Sequence, residues 1–157
     1  MTAVLTYVHV LAAGLLIGKV LLLSAVVAPI LAKELAPPRF SQVVRRLFPA
    51  YYAMGVVASG LGLAAVVGLA FLGGWSAGVT VALCLWSVVA AAESYCGSVL
   101  TPQSNAMRDE MKRHDAKGTL QATVQSAWAR LHRRSLWLNT MVLMVGCVVL
   151  GVALQLA

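Results

Sequence analysis

Two ionisable residues stand where a chain built for lipid should carry no charge. Lys19 interrupts the apolar run Leu15-Leu16-Ile17-Gly18-Lys19-Val20-Leu21-Leu22, and Glu93 follows Ala90-Ala91-Ala92 in another. A charged side chain near the centre of a bilayer costs roughly 2.5–3.5 kcal/mol even on the lenient insertion scale, so each needs a partner or water. At about 1.5 Å of rise per residue, Lys19 lies roughly 18 Å from the inner end of its helix and Glu93 roughly 12 Å from the inner end of its own. One lysine side chain spans that gap, and an intramembrane Lys19 to Glu93 pair is expected.

Other polar residues fall in the same inner half: Ser24, Ser59, Ser94, Tyr95, Asn139 and Thr140. His132, Ser135 and Asn139 recur at i, i+3 and i+7 and share one helix face. These residues predict a polar core in the cytoplasmic half, anchored by the pair. Two uses of such a core stand side by side. It orients helices, as buried ion pairs do while adding little stability, or it serves a proton, a metal ion or a small polar solute. Between Lys19 and His9 the first helix is nearly all apolar, so no continuous polar path is visible.

His9 and His132 raise metal or haem binding, since imidazole is the commonest metal ligand. Their depths oppose a shared ion, with His9 near the outer end of one helix and His132 at the inner end of another. Their Cα atoms should lie more than about 20 Å apart in a core roughly 30 Å thick. Each is expected to be an interfacial histidine, and His114, among Lys112, Arg113 and Asp115, a solvated loop residue. Cys84, Cys96 and Cys147 have no ligand or redox spacing and read as small buried apolar residues. There is no Cys-x-x-Cys-His haem attachment site, hydrolytic triad, P-loop or dinucleotide fingerprint. The expectation is a protein that is not an enzyme and carries no cofactor, with haem or copper binding as an alternative.

The elements that must position these residues are membrane helices. The 157 residues are 61% hydrophobic and 11% charged, against about 45–50% apolar in soluble domains. Runs at roughly 4–31, 51–72, 78–100 and 135–156 reach the length of about 20 residues that a spanning helix needs. Strand alternation is absent. The first run lacks a preceding basic segment and is too long for a signal core, so it reads as a transmembrane helix closed by Pro29 and Lys33-Glu34. The expected fold is all-α, a single four-helix membrane bundle with cytoplasmic connections at 32–50 and 101–134.

The net charge of +7 is a topology signal and not one for nucleic acid. Lys33, Arg39, Arg45 and Arg46 fall in the first connection, and Arg108, Lys112, Arg113, Lys117, Arg130, Arg133 and Arg134 in the third, while Gly73 to Gly78 carries none. Basic short loops mark the cytoplasmic side, which puts both termini outside and the basic loops against anionic lipid heads. Phe40, Val43, Val44, Leu47 and Phe48 predict a short surface helix stopped by Pro49, itself the first residue of helix two. Ser104 is expected to cap a polar helix that Gly118 breaks. Leu120, Val124, Trp128 and Leu131 then form an amphipathic face running on into helix four. In helix two, Gly55 with Ser59, and Gly60, Ala64 and Gly68, make small-residue stripes for close packing, within the bundle or as a seam to a second copy or a larger membrane complex.

The order His9, Gly18, Pro29, then Leu47-Phe48-Pro49-Ala50-Tyr51-Tyr52, Thr101-Pro102, and Leu131-His132-Arg133-Arg134-Ser135 with Asn139 resembles the transmembrane protein 205-like family over nearly the whole chain. The resemblance implies a small four-helix membrane protein of the bacterial cytoplasmic membrane, without a defined activity. It directs attention to His9, Pro49, His132, Ser135 and Asn139. Leu15-Leu16-Ile17 and Lys19 depart from the family pattern, so the Lys19 to Glu93 pair rests on the residues alone. The functional expectation is a non-catalytic helper in solute or metal handling, or a subunit of a larger membrane complex. A small or proton-coupled carrier using the pair is the alternative, beside the haem or copper binder.

Overall fold

The computed structural model describes residues 1–116 and 122–156. Among these, four helical rods are long and apolar enough to cross a membrane. Helix α1 covers residues 2–34, α2 is Pro37–Gly73, α3 covers residues 77–116, and α4 is Ala122–Leu156. Each of α1, α2 and α3 packs on the next, and α1 closes the ring against α4. Helices α1 and α3 therefore face each other across one diagonal of the bundle, and α2 and α4 across the other.

Small side chains let these helices approach closely. Ala12, Ala13, Ala58, Ala65 and Ala82 are buried with Leu16, Val66, Trp86 and Val89, which suits association in lipid, where van der Waals packing takes the place of water exclusion. The outer surface is apolar as well, with Leu11, Leu22, Ile30, Val57, Leu61, Met144 and Val148 exposed. A surface of that kind suits contact with acyl chains. The charged connections gather at one end, here termed the basic end. At the opposite end Gly74 adopts φ 84° and its N–H donates to the Ala70 carbonyl, closing α2. The Ser76 hydroxyl accepts from the Val79 N–H and starts α3.

Two helix boundaries differ from the sequence reading, each at a proline. Pro49 stops nothing: it lies inside α2, so the expected surface helix and helix two are one rod. Of that segment's apolar face Val44 is buried and Phe40, Leu47 and Phe48 are half-buried, while Val43 is exposed. Pro29 lies within α1, which ends at the expected Lys33-Glu34, three residues past the apolar run, and Thr101-Pro102 does not close α3. In both, a wider π-helical stretch precedes the proline, Leu22–Val27 before Pro29 and Cys96–Leu100 before Pro102. A proline ring clashes with the carbonyl four residues back in a regular α-helix. The wider turn relieves that clash, and the rod survives.

Ser104 consequently lies within α3 and caps nothing. Trp128 and Leu131 lie in α4, continuous with its membrane part, whereas Lys117, Gly118 and Leu120 lie outside the described residues. Cys96 is buried, but Cys84 and Cys147 face outward.

Candidate functional site

The bundle's most buried charges meet in its centre. Lys19 Nζ lies 2.7 Å from Glu93 Oε2, with side-chain exposures of 0% and 1%. The ammonium also donates to the Tyr51 carbonyl at 3.3 Å and sits 4.0 Å above the Tyr51 ring. Its charge is therefore shared among a carboxylate, a peptide dipole and an aromatic face. Gly55 makes room for this: a Cβ there would collide with the Glu93 carboxylate and the Lys19 ammonium. Among the described residues Glu93 Oε1, which is buried, has no hydrogen-bond partner, although buried polar atoms are nearly always satisfied.

The ion pair spans the α1–α3 diagonal, and a second polar link spans the other. Tyr51 donates its hydroxyl to Asn139 Oδ1 at 2.8 Å, and Asn139 Nδ2 donates to Tyr52 Oη at 3.3 Å and to the Ser135 carbonyl at 2.9 Å. The Tyr52 hydroxyl lies 3.3 Å from Ser135 Oγ. The two diagonals meet at Tyr51, whose carbonyl and ring take Lys19 while its hydroxyl reaches α4. All four helices are thus tied at one level, and Phe48, stacked on Tyr52 at 5.8 Å, covers the tyrosines.

On the basic-end side of this level lies a cavity of 360 Å³, with Tyr52, Ser135 and Asn139 among its lining. His132 and Ser24 line it too. Of the other residues expected in the polar core, Ser94, Tyr95 and Thr140 are exposed on the helix surfaces, because the helices are rotated to bury the pair and the tyrosines instead. Ser59 is buried, yet its hydroxyl donates to the Gly55 carbonyl one turn back and serves its own helix.

His9 is not interfacial. It is wholly buried, accepting at Nδ1 from Trp86 Nε1 at 3.2 Å. That bond leaves the ring proton on Nε2, which lies 3.3 Å from the Val149 carbonyl. Both nitrogens are engaged, and the imidazole links α1, α3 and α4 far from the basic end. His132 is exposed and stacks on Trp128, with ring centroids 6.1 Å apart. The rise along α4 between it and Val149 is about 25 Å, so the two histidines occupy different levels. His114 lies in α3, 4.0 Å from Glu110. Among the described residues, no group of three or more His, Cys, Asp and Glu side chains could hold a metal ion.

Tyr51, Tyr52 and Trp86 carry polar contacts that the sequence reading did not assign. A signal for one was present: Gly55 and Gly62 stand seven apart on α2, and Glu93 and Trp86 stand seven apart on antiparallel α3. A Cβ at Gly62 would fall within the Trp86 ring. The glycines are the imprints of the two large buried side chains.

A sequence profile described as a domain of unknown function, DUF4149, matches residues 11–113. That stretch holds Lys19, Tyr51, Tyr52 and Glu93, and ends before Asn139. No curated protein and no solved structure matches the chain.

Proposed function

The chain belongs to the DUF4149 family, uncharacterised in activity, and we propose that it is a non-catalytic membrane protein that helps to handle a small solute from its basic end. The observation that carries this reading is the buried Lys19–Glu93 pair, joined through Tyr51 and Asn139 to a cavity at that end. Structural ion pairs are compatible with a sealed bundle; a polar chain from such a pair to an open cavity couples the buried charge to whatever occupies that cavity.

By the positive-inside rule the basic end faces the cytoplasm, in the bacterial inner membrane, with both termini outside. The likeness to transmembrane protein 205-like proteins belongs to the same proposal. So does docking to a second copy or a larger complex through Gly60 and Ala64, which face outward on α2. The test is complementation. A strain lacking the protein is screened against toxic metal salts and organic ions, and the sensitivity found should be restored by the wild-type chain. Lys19→Leu with Glu93→Leu should fold and fail to restore it. Full restoration by the folded double variant would reduce the pair to a structural device and overturn the reading.

A second reading, proton-coupled carriage, is favoured by Glu93 Oε1, a buried acceptor without a hydrogen-bond partner among the described residues. Proteoliposomes loaded with a pH-reporting dye should then acidify under a potassium diffusion potential with wild-type protein and not with Glu93→Gln. Equal acidification by both would dismiss it.

A further inference from the structure

The cavity at the basic end takes apolar side chains from all four helices, among them Leu31, Phe40 and Leu100, and its polar groups are denser on the α3–α4 wall, with Ser104, Asn105 and Arg108, than on the α1–α2 wall, with Ser24 and Tyr52. No Asp or Glu is among its lining residues.

Arg108 is the charged group of the α3–α4 wall, and it is half-buried. It donates to the neutral Asn105 Oδ1 at 3.1 Å and lies 5.0 Å over the Trp128 ring. The neighbouring carboxylate is taken elsewhere, since Asp109 pairs with Arg45 at 2.5 Å. Among the described residues this partly desolvated guanidinium has a neutral acceptor and a ring face beside it, with the Arg45 cation nearby, and such a group is a receptor for an anion. The volume of 360 Å³ lies at the small end of the range of about 300–1,000 Å³ for ligand pockets, suited to one chain or ring system and not to a two-chained lipid.

We infer that this cavity binds a small amphiphilic organic anion, its apolar body against Leu31, Phe40 and Val44 and its carboxylate or phosphate on Arg108 beside Trp128. The assignment deepens the solute-handling reading above and rests on it for its biological meaning, though not for its chemistry. Asn105 and Ser104 supply the remaining hydrogen bonds to the head group. Tyr52, which also lines the cavity, meets the other end of the molecule.

Bromine quenching of tryptophan fluorescence tests this in nanodiscs of zwitterionic phosphatidylcholine, with 2-bromododecanoate, whose bromine stays beside the head group and so beside Trp128, as probe and 2-bromododecan-1-ol as its neutral counterpart. The acid should quench saturably, and the saturable part should vanish in Trp128→Phe. Arg108→Gln should weaken the acid about tenfold or more, as loss of a charge-assisted contact does, and leave the alcohol unchanged. Ala28→Phe, which fills the cavity from α1, should abolish saturable quenching while the thermal transition stays in place. Equal behaviour of acid and alcohol, or no effect of Arg108→Gln, overturns the anion assignment. So does a diacyl phospholipid that co-purifies with the wild-type protein in native mass spectrometry and is lost in Arg108→Gln. Complementation by Lys19→Leu with Glu93→Leu judges the solute-handling reading separately, so either can fail while the other stands.

Discussion

Replacing Glu93 with Leu strands an ammonium at a site with no solvent exposure. Removing one member of a buried pair typically costs about 3–5 kcal/mol, and thermal unfolding in detergent should register a loss of that order. Lys19→Leu with Glu93→Leu removes both charges and should be far better tolerated; losses that simply add would show that the two residues do not interact. Asn139→Leu deprives the Tyr51 hydroxyl of its acceptor and should cost about 1–3 kcal/mol, where Thr140→Leu on the outward face should be near neutral. The ionisable partners were legible from depth alone, because only two charges lie deep in the apolar runs. Tyr51 and Tyr52 were not, since a tyrosine at a helix start reads equally well as an interfacial anchor, and only the packed bundle turns both rings inward.

At the scale of the helix, glycine positions separate contact from composition. Gly55→Ala and Gly62→Ala should destabilise by about 1–3 kcal/mol or more, as overpacking does, because the added methyl meets the ion pair or the Trp86 ring. Gly60 meets nothing within 4 Å, so Gly60→Ala should be neutral or stabilising by up to about 1 kcal/mol through helix propensity. Thermal unfolding of the three variants decides the matter; a loss for Gly60→Ala equal to the others would place a partner on the outward face. Pro49 is exposed inside α2, so Pro49→Ala should raise stability, by at most about 3 kcal/mol, without altering the rod. The four spans were visible as apolar runs. Their continuation past Pro49 and Pro102 was not, because proline is the strongest local stop signal and the π-turn that accommodates Pro102 is set by packing.

For the molecule as a whole, the proposed orientation predicts that reporters fused at either terminus or inserted at Gly74 answer from the outer compartment and one at Gly118 from the cytoplasm. The opposite pattern would move the cavity, with Arg108, to the outer face. What the sequence determined by itself is the environment: hydropathy and run length decide that four helices belong in lipid, and a low dielectric compels Lys19 and Glu93 to find each other or water. Those are bulk properties, summed over many residues and indifferent to exact rotation. The tertiary structure alone decided the rotation of each helix about its axis. That angle buried His9 against Trp86 and Val149, turned Ser94, Tyr95 and Thr140 outward, and brought Tyr51 and Asn139 together. In lipid every face of these helices is apolar enough to be buried or exposed, so no periodicity marks the inner one. The choice falls to glycine gaps and to the few polar groups that must be satisfied together.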